Sequence, residues 1–181
     1  MAGQYFEFLS PGYSELWTRD HAYVPGTGEA ADLNPFAPRS SARPLIEGEW
    51  LQHAAPPAGA SGHRVTRGGN NAVSVSGTPD GEGTVPAFPY WMEEGRFDVQ
   101  TKKRAHIVIG PAGFEFRTRL CDTTFNSLAV NDAVSVWDLD FAGGTVVRRI
   151  LAKRNAGHGV GWVTRIYGPN DIAVFYTQGA T

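Results

Sequence analysis

A chain of 181 residues with a formal net charge of -2, 41% apolar and 19% charged side chains is long enough for one ordinary globular domain and too apolar to be disordered. The near-neutral balance gives no electrostatic reason to expect nucleic-acid binding, and no apolar run approaches the roughly 20 residues that span a bilayer. A single cysteine, Cys121, excludes an intrachain disulfide and a cysteine-based metal cage. With no basic-then-apolar leader, the chain is expected to be made in a reducing cytosol.

The 22 glycines and 12 prolines imply many turns and little helix. Charge is divided unevenly. Residues 1–95 carry five basic and eleven acidic side chains, and residues 96–181 carry eleven basic and seven acidic. Such a division suits an acidic half docking on a basic half, within one chain or between neighbours.

Residues 1–10 alternate, with Phe6 and Phe8 on one side, and predict a short strand that Pro11-Gly12 ends and that adds to a sheet edge. From Tyr13 to Arg43 no period is sustained. Pro25-Gly26, Asn34-Pro35 and Pro38 interrupt it, while Trp17, Tyr23, Leu33 and Phe36 are spaced as anchors. Ordering a chain costs about 1–2 kcal/mol per residue, which a few aromatic rings offset only if they are buried. Residues 1–43 are therefore expected to be an extended arm laid over a sister subunit or a larger assembly, or folded back on residues 44–181.

Pro44 to Leu51 predicts a strand with Gly48 as a bulge, and residues 53–62 a small-residue, proline-rich loop. Residues 64–77 predict a hairpin around Gly68-Gly69-Asn70-Asn71. The aromatic-rich Phe88 to Met92 follows, then Phe97 to Gln100 and Ala105 to Ile109, and residues 110–113 turn the chain into its most regular part. Five segments there alternate apolar and polar residues: Phe114–Leu120, Ala133–Asp138, Thr145–Lys153, Val160–Tyr167 and Ile172–Thr177, the last after the turn Gly168–Asp171. Side chains in a strand alternate between faces, so Val134, Val136 and the apolar members of the later segments line one interior. The expected fold is all-β, an antiparallel barrel or sandwich.

Little of this carries catalytic chemistry. The five histidines, His21, His53, His63, His106 and His158, stand in unrelated contexts, and none is paired at a metal-binding spacing. Asp138 and Asp140 are two apart and are expected at a polar hairpin end rather than around a calcium ion. The glycines between Gly157 and Gly161 run straight into a strand instead of opening a helix, so they predict a bulge or a close backbone approach, not a phosphate loop. No serine lies in a nucleophile elbow. Cys121 closes a strand and is expected to be a small buried hydrophobe. No catalytic residue, metal or cofactor is expected. Lys102, Lys103 and Arg104, with Arg148, Arg149, Lys153 and Arg154, form the best basic cluster, for solvent or for acidic protein neighbours, because it lacks the interleaved aromatics of a base-stacking groove.

In Leu128 to Asp138, Arg149 to Lys153, Gly159 to Val163 and Ile172 to Gly179, with Phe97 to Gln100 ahead of them, the chain resembles the capsid decoration (cement) proteins of tailed bacteriophages. The likeness is one of turns and strands over about the last 85 residues, and residues 1–95 exceed the simplest family members. It implies a β-tulip or β-barrel domain, often trimeric, that sits on the outside of the head. There it binds the major capsid protein and staples neighbouring capsomers without turnover, nucleic acid or membrane. It also implies assembly in the host cytoplasm and residence on the virion surface. Phe6, Phe8, Trp17, Tyr23 and Phe36 would then be arm anchors, and Lys102, Lys103, Arg104, Arg148 and Arg149 a basic contact patch. A different reading is a glycan-binding or host-attachment module of a virion, with Trp50, Tyr90 and Trp91 stacking on sugars.

Overall fold

A computed structural model describes residues 6–9, 17–24, 47–56, 58–59, 61–66, 80–91, 104–110, 113–140 and 147–177. All regular structure among them is β. In chain order the strands are β1 (Phe6–Phe8), β2 (Trp17–Tyr23), β3 (Trp50–Ala54), β4 (Arg64–Thr66), β5 (Asp80–Glu82) and β6 (Ala87–Pro89). There follow β7 (Arg104–Gly110), β8 (Phe114–Thr118), β9 (Ala133–Asp140), β10 (Val147–Lys153), β11 (Gly159–Gly168) and β12 (Asp171–Tyr176). A seven-stranded sheet runs β1-β8-β12-β11-β9-β10, with β5 also paired to β9, and a five-stranded sheet runs β6-β3-β4-β2-β7. Every strand pair is antiparallel except β2 with β4.

The five alternating segments of the sequence are β8 to β12, and their apolar faces form the interior. Phe116, Val134, Val136, Val163, Val174 and Tyr176 pack in one cluster with Trp50 and Val108 of the other sheet. The Trp50 ring lies 5.8 Å from Phe116 and 6.1 Å from Tyr176, centroid to centroid. Truncating a buried aromatic of this kind costs about 3–5 kcal/mol, so Trp50 is a principal tie between the sheets. The five-stranded sheet is apolar on its other face too, where Tyr23, Leu51, Val65, Phe88, Tyr90 and Ile107 form a second cluster.

Among the described residues neither sheet closes into a barrel. Closure needs the first and last strands joined by a continuous ladder. Among the described residues the far edge of β10 is met by an isolated bridge between Cys121 and Leu151, and β6 reaches β7 through the bridge between Tyr90 and Ile107 rather than through a ladder. Cys121 is buried, as expected, and burial pushes its thiol pKa up to about 12.

Two strands come from the stretch expected to be an arm, and both belong to this chain's own sheets. β1 pairs with β8, placing Phe6 opposite Thr118, and the Phe6 ring stacks on Phe116 at 4.9 Å. β2 pairs with β7 and β4. Gly48 is not a bulge within a strand. It lies in a turn before β3 with φ of 85°, and a Cβ there would stand 2.7 Å from that of Phe6.

Turns fix the register of β9. Asn131 has φ of 72°, a left-handed conformation that asparagine tolerates, and Asp132 accepts the Ala129 amide at 2.7 Å. Lys153 at 2.8 Å, together with that amide, holds the Asp132 carboxyl below its ordinary pKa. At β11 the glycines do what their spacing predicts. The β9 ladder shifts register between Gly159 and Gly161, and a Cβ on Gly161 would lie 2.0 Å from the Phe175 carbonyl oxygen.

Candidate interaction surface

The solvent-facing side of the seven-stranded sheet carries an ordered group of rings and charges. Trp162 on β11 sits opposite Phe175 on β12, and the rings stack at 4.9 Å with 23° between their planes. Trp162 remains 41% exposed. Further along β11, Tyr167 is 42% exposed, with the Arg117 guanidinium 4.3 Å from its ring centre and Arg165 5.7 Å away. Arg117 is fixed in turn by Asp171, to which Nε and Nη2 donate at 2.8 and 2.7 Å. Arg119 shares that carboxylate at 3.4 Å, and Glu7 lies 3.9 Å from Arg117.

This grouping follows from strand alternation. Phe114, Phe116 and Thr118 point inward, so Glu115, Arg117 and Arg119 fall on the other face of β8 or just past its end. The hydrogen bonds from Arg117 hold the Asp171 carboxyl below the usual carboxylate range, and the same bonds raise the Arg117 pKa. Both groups stay ionised, and the guanidinium is held over the Tyr167 ring. Such a surface is chemically suited to recognition, since a rigid stacked indole and an arginine-clamped phenol lose little side-chain entropy on contact.

The expected anchors lie elsewhere. Phe6 and Tyr23 are buried in this chain's own clusters, and Phe8 packs partly buried against Phe6 and Phe114 at 4.9 and 5.4 Å. Those three rings are therefore not free to anchor an arm on a partner. Trp17 pairs through its backbone with Gly110, and Phe36, Lys102 and Lys103 lie outside the described residues. Arg104 and Arg148 pair with Ala22 and Leu139. Arg149 leaves the basic patch altogether. It is buried between the sheets, 3.1 Å from Asp138 and donating to Gln52 at 2.6 Å. Its burial pulls the guanidinium pKa down, against the attraction of Asp138. Asp138 is accordingly a buried ion-pair partner rather than a polar hairpin end.

The sugar-stacking residues fare similarly: Trp50 and Tyr90 are buried and Trp91 is half-buried against the core. Burial raises the Tyr90 pKa to about 12.

Glu82, in the acidic first half, is held by neutral groups of the second half rather than by its basic side chains. Its carboxylate accepts the Ser135 hydroxyl and the amides of Asn155 and Ala156, the latter two at 2.8 Å. Gly157 permits that approach, since a Cβ there would lie 2.5 Å from the Gly83 oxygen.

Three histidines expected in unrelated contexts are neighbours. His21 on β2, His53 on β3 and His63 just before β4 share one face of the five-stranded sheet, with ring centres 5.4 Å apart for His21 and His53, 5.6 Å for His21 and His63, and 6.5 Å for His53 and His63. Among the described residues no group of three or more His, Cys, Asp or Glu side chains could hold a metal ion.

Sheets and surface together define an all-β, two-sheet module with an exposed aromatic and arginine face. No protein-family model, no curated protein and no solved structure matches the chain.

Proposed function

We propose that this chain is a virion structural protein, a capsid decoration protein that binds the outer head surface and staples neighbouring capsomers. The observation that carries the docking face is the exposed Trp162–Phe175 stack beside Tyr167 clamped by Arg117. Trp, Tyr and Arg dominate the energetics of protein interfaces because they bury much area at small entropic cost. The occupant is the major capsid protein. The resemblance in Leu128 to Asp138, Arg149 to Lys153, Gly159 to Val163 and Ile172 to Gly179 supports that choice, and those segments include Trp162 and Phe175. The β-tulip architecture and a homotrimer belong to this proposal, with open sheets in place of a closed barrel. Trimeric display makes each weak docking contact effectively intramolecular once a neighbouring one has formed.

Sedimenting the protein with empty, expanded tailed-phage heads tests the reading. Saturable binding that Trp162→Ala with Tyr167→Ala abolishes supports it. Binding indifferent to both substitutions removes this face from the proposal, and no binding to any head removes the capsid. A glycan array is expected to be silent.

A further inference from the structure

The three neighbouring histidines lie far apart in the chain and are brought together by strand pairing. β4 is hydrogen-bonded to both β3 and β2, with Val65 opposite His53 and beside Tyr23. Two residues back along each strand, His63 and His21 return to the same face. That face carries Tyr23, Leu51, Val65 and Phe88, so the imidazoles stand at one end of an apolar cluster, and the His53 ring meets Phe88 edge-on at 5.0 Å.

His21 is the inner member. It is 3% exposed, with Nδ1 donating to the Arg19 carbonyl at 3.3 Å, while His53 and His63 are exposed. Among the described residues the titratable or charged groups that face it are His53 from β3, His63 from the approach to β4 and Arg19 from β2 itself. β7 presents Ala105 opposite His21, and β6 presents Phe88 to His53. None of these is an acid. Asp20, next to His21 in the chain, points to the other face of β2, where it lies 2.6 Å from His106. A proton that reaches the cluster therefore enters a half-apolar site beside rings that take the same charge. Burial, and then His53, His63 and Arg19, hold the His21 pKa below its ordinary value against the Arg19 carbonyl, which favours the protonated ring.

We propose that His21, His53 and His63 form an acid-sensitive switch. Neutral, they pack β2 against β3 and β4; charged together, they repel one another and loosen that end of the five-stranded sheet. The direction follows from linkage. A histidine whose folded pKa is depressed contributes stability that is present above the unfolded value, about 6.5, and is lost as pH falls through the folded one. Ordinary carboxylates titrate near pH 4, so a window from about pH 7.5 to about pH 5.5 reads histidines. The switch rests on observations separate from the docking face and stands or falls independently of it.

Hydrogen exchange of the full chain, followed peptide by peptide by mass spectrometry and corrected for the intrinsic effect of pH, tests it. Between about pH 7.5 and about pH 5.5 the amides of β2, β3 and β4 are expected to lose protection about 10-fold or more, and those of β8, β11 and β12 far less. His53→Gln with His63→Gln removes two of the three charges at exposed positions and should narrow that loss. Circular dichroism at neutral pH checks the fold, and His63→Gln alone, outside any strand, serves with the same outcomes where the double variant does not fold. Unchanged protection of β2 to β4 across the window overturns the switch, as does a loss spread evenly over both sheets. A loss in the folded variant as large as the parent's overturns it too.

Discussion

Arg149 of β10 and Asp138 of β9 face each other inside the protein, Nε to Oδ1 3.1 Å, and Arg149 reaches across to Gln52 of the opposite sheet at 2.6 Å. A buried ion pair is costly to form and costlier to break, because removing one partner strands a charge in a poor solvent. Arg149→Met or Asp138→Leu alone should destabilise the fold by about 3–5 kcal/mol, and the two together by much less. Denaturant unfolding of the two single variants and the double variant measures this. Additive losses would show that the residues do not act as a pair.

At Gly161 of β11 the β12 backbone leaves no room for a Cβ. A methyl group there would sit 2.0 Å from the Phe175 oxygen and 2.9 Å from its carbonyl carbon, neither of which can yield without moving β12. Gly161→Ala is expected to cost about 1–3 kcal/mol or more in urea unfolding, whereas the same change at Gly168, where a Cβ meets nothing within 4 Å, should cost far less. Equal effects at the two sites would contradict the close approach.

Glu82 supplies an acid dependence. Burial pushes its pKa up, but the Ser135 hydroxyl and the amides of Ala156, Asn155 and Gly157 outweigh this and hold it below its ordinary value. A carboxyl with a depressed folded pKa contributes stability that is present above the unfolded pKa, about 4.3, and is lost as pH falls through the folded value. Glu82→Gln should therefore lower the midpoint of unfolding at pH 7 and narrow its difference from the parent as the pH drops below about 4. A pH-independent difference would show that the charge of Glu82 does not matter.

Cys121 is buried and its thiol is raised to about 12, so almost no thiolate is present at neutral pH. A thiol-specific chromogenic reagent should leave the native protein unmodified for as long as it stays folded and react with one equivalent in denaturant. Rapid native modification would contradict that burial.

Much of the seven-stranded sheet is legible in the sequence because its strands alternate cleanly, although only β9–β10 and β11–β12 pair as neighbours in the chain. Val134 and Val136 are inside, the turn at Asn170 with φ of 56° lies where Gly168 to Asp171 put it, and Phe6 and Phe8 form a sheet-edge strand. The five-stranded sheet is less legible. Its pairings join β2 to β4 in parallel and β2 to β7 across long stretches of chain, so nothing local shows that His21, His53 and His63 meet. Arg149 was within reach, because adjacent residues in a strand point to opposite faces and Arg148 and Arg149 cannot share one surface. The exposed face of rings and arginines is legible in the same way. Once Phe116 and Val174 are assigned to the interior, Arg117 and Phe175 must look outward.

Binding of the intact protein to expanded tailed-phage heads, quantified by co-sedimentation for the parent chain and for Trp162→Ala, tests the central claim most directly. Truncating an interface hot spot costs at least about 2 kcal/mol, so the substitution should weaken binding roughly 30-fold while costing about 1 kcal/mol in urea unfolding for the lost stack on Phe175, which leaves the variant folded. Heads that bind the variant as tightly as the parent chain, or that bind neither, would contradict it.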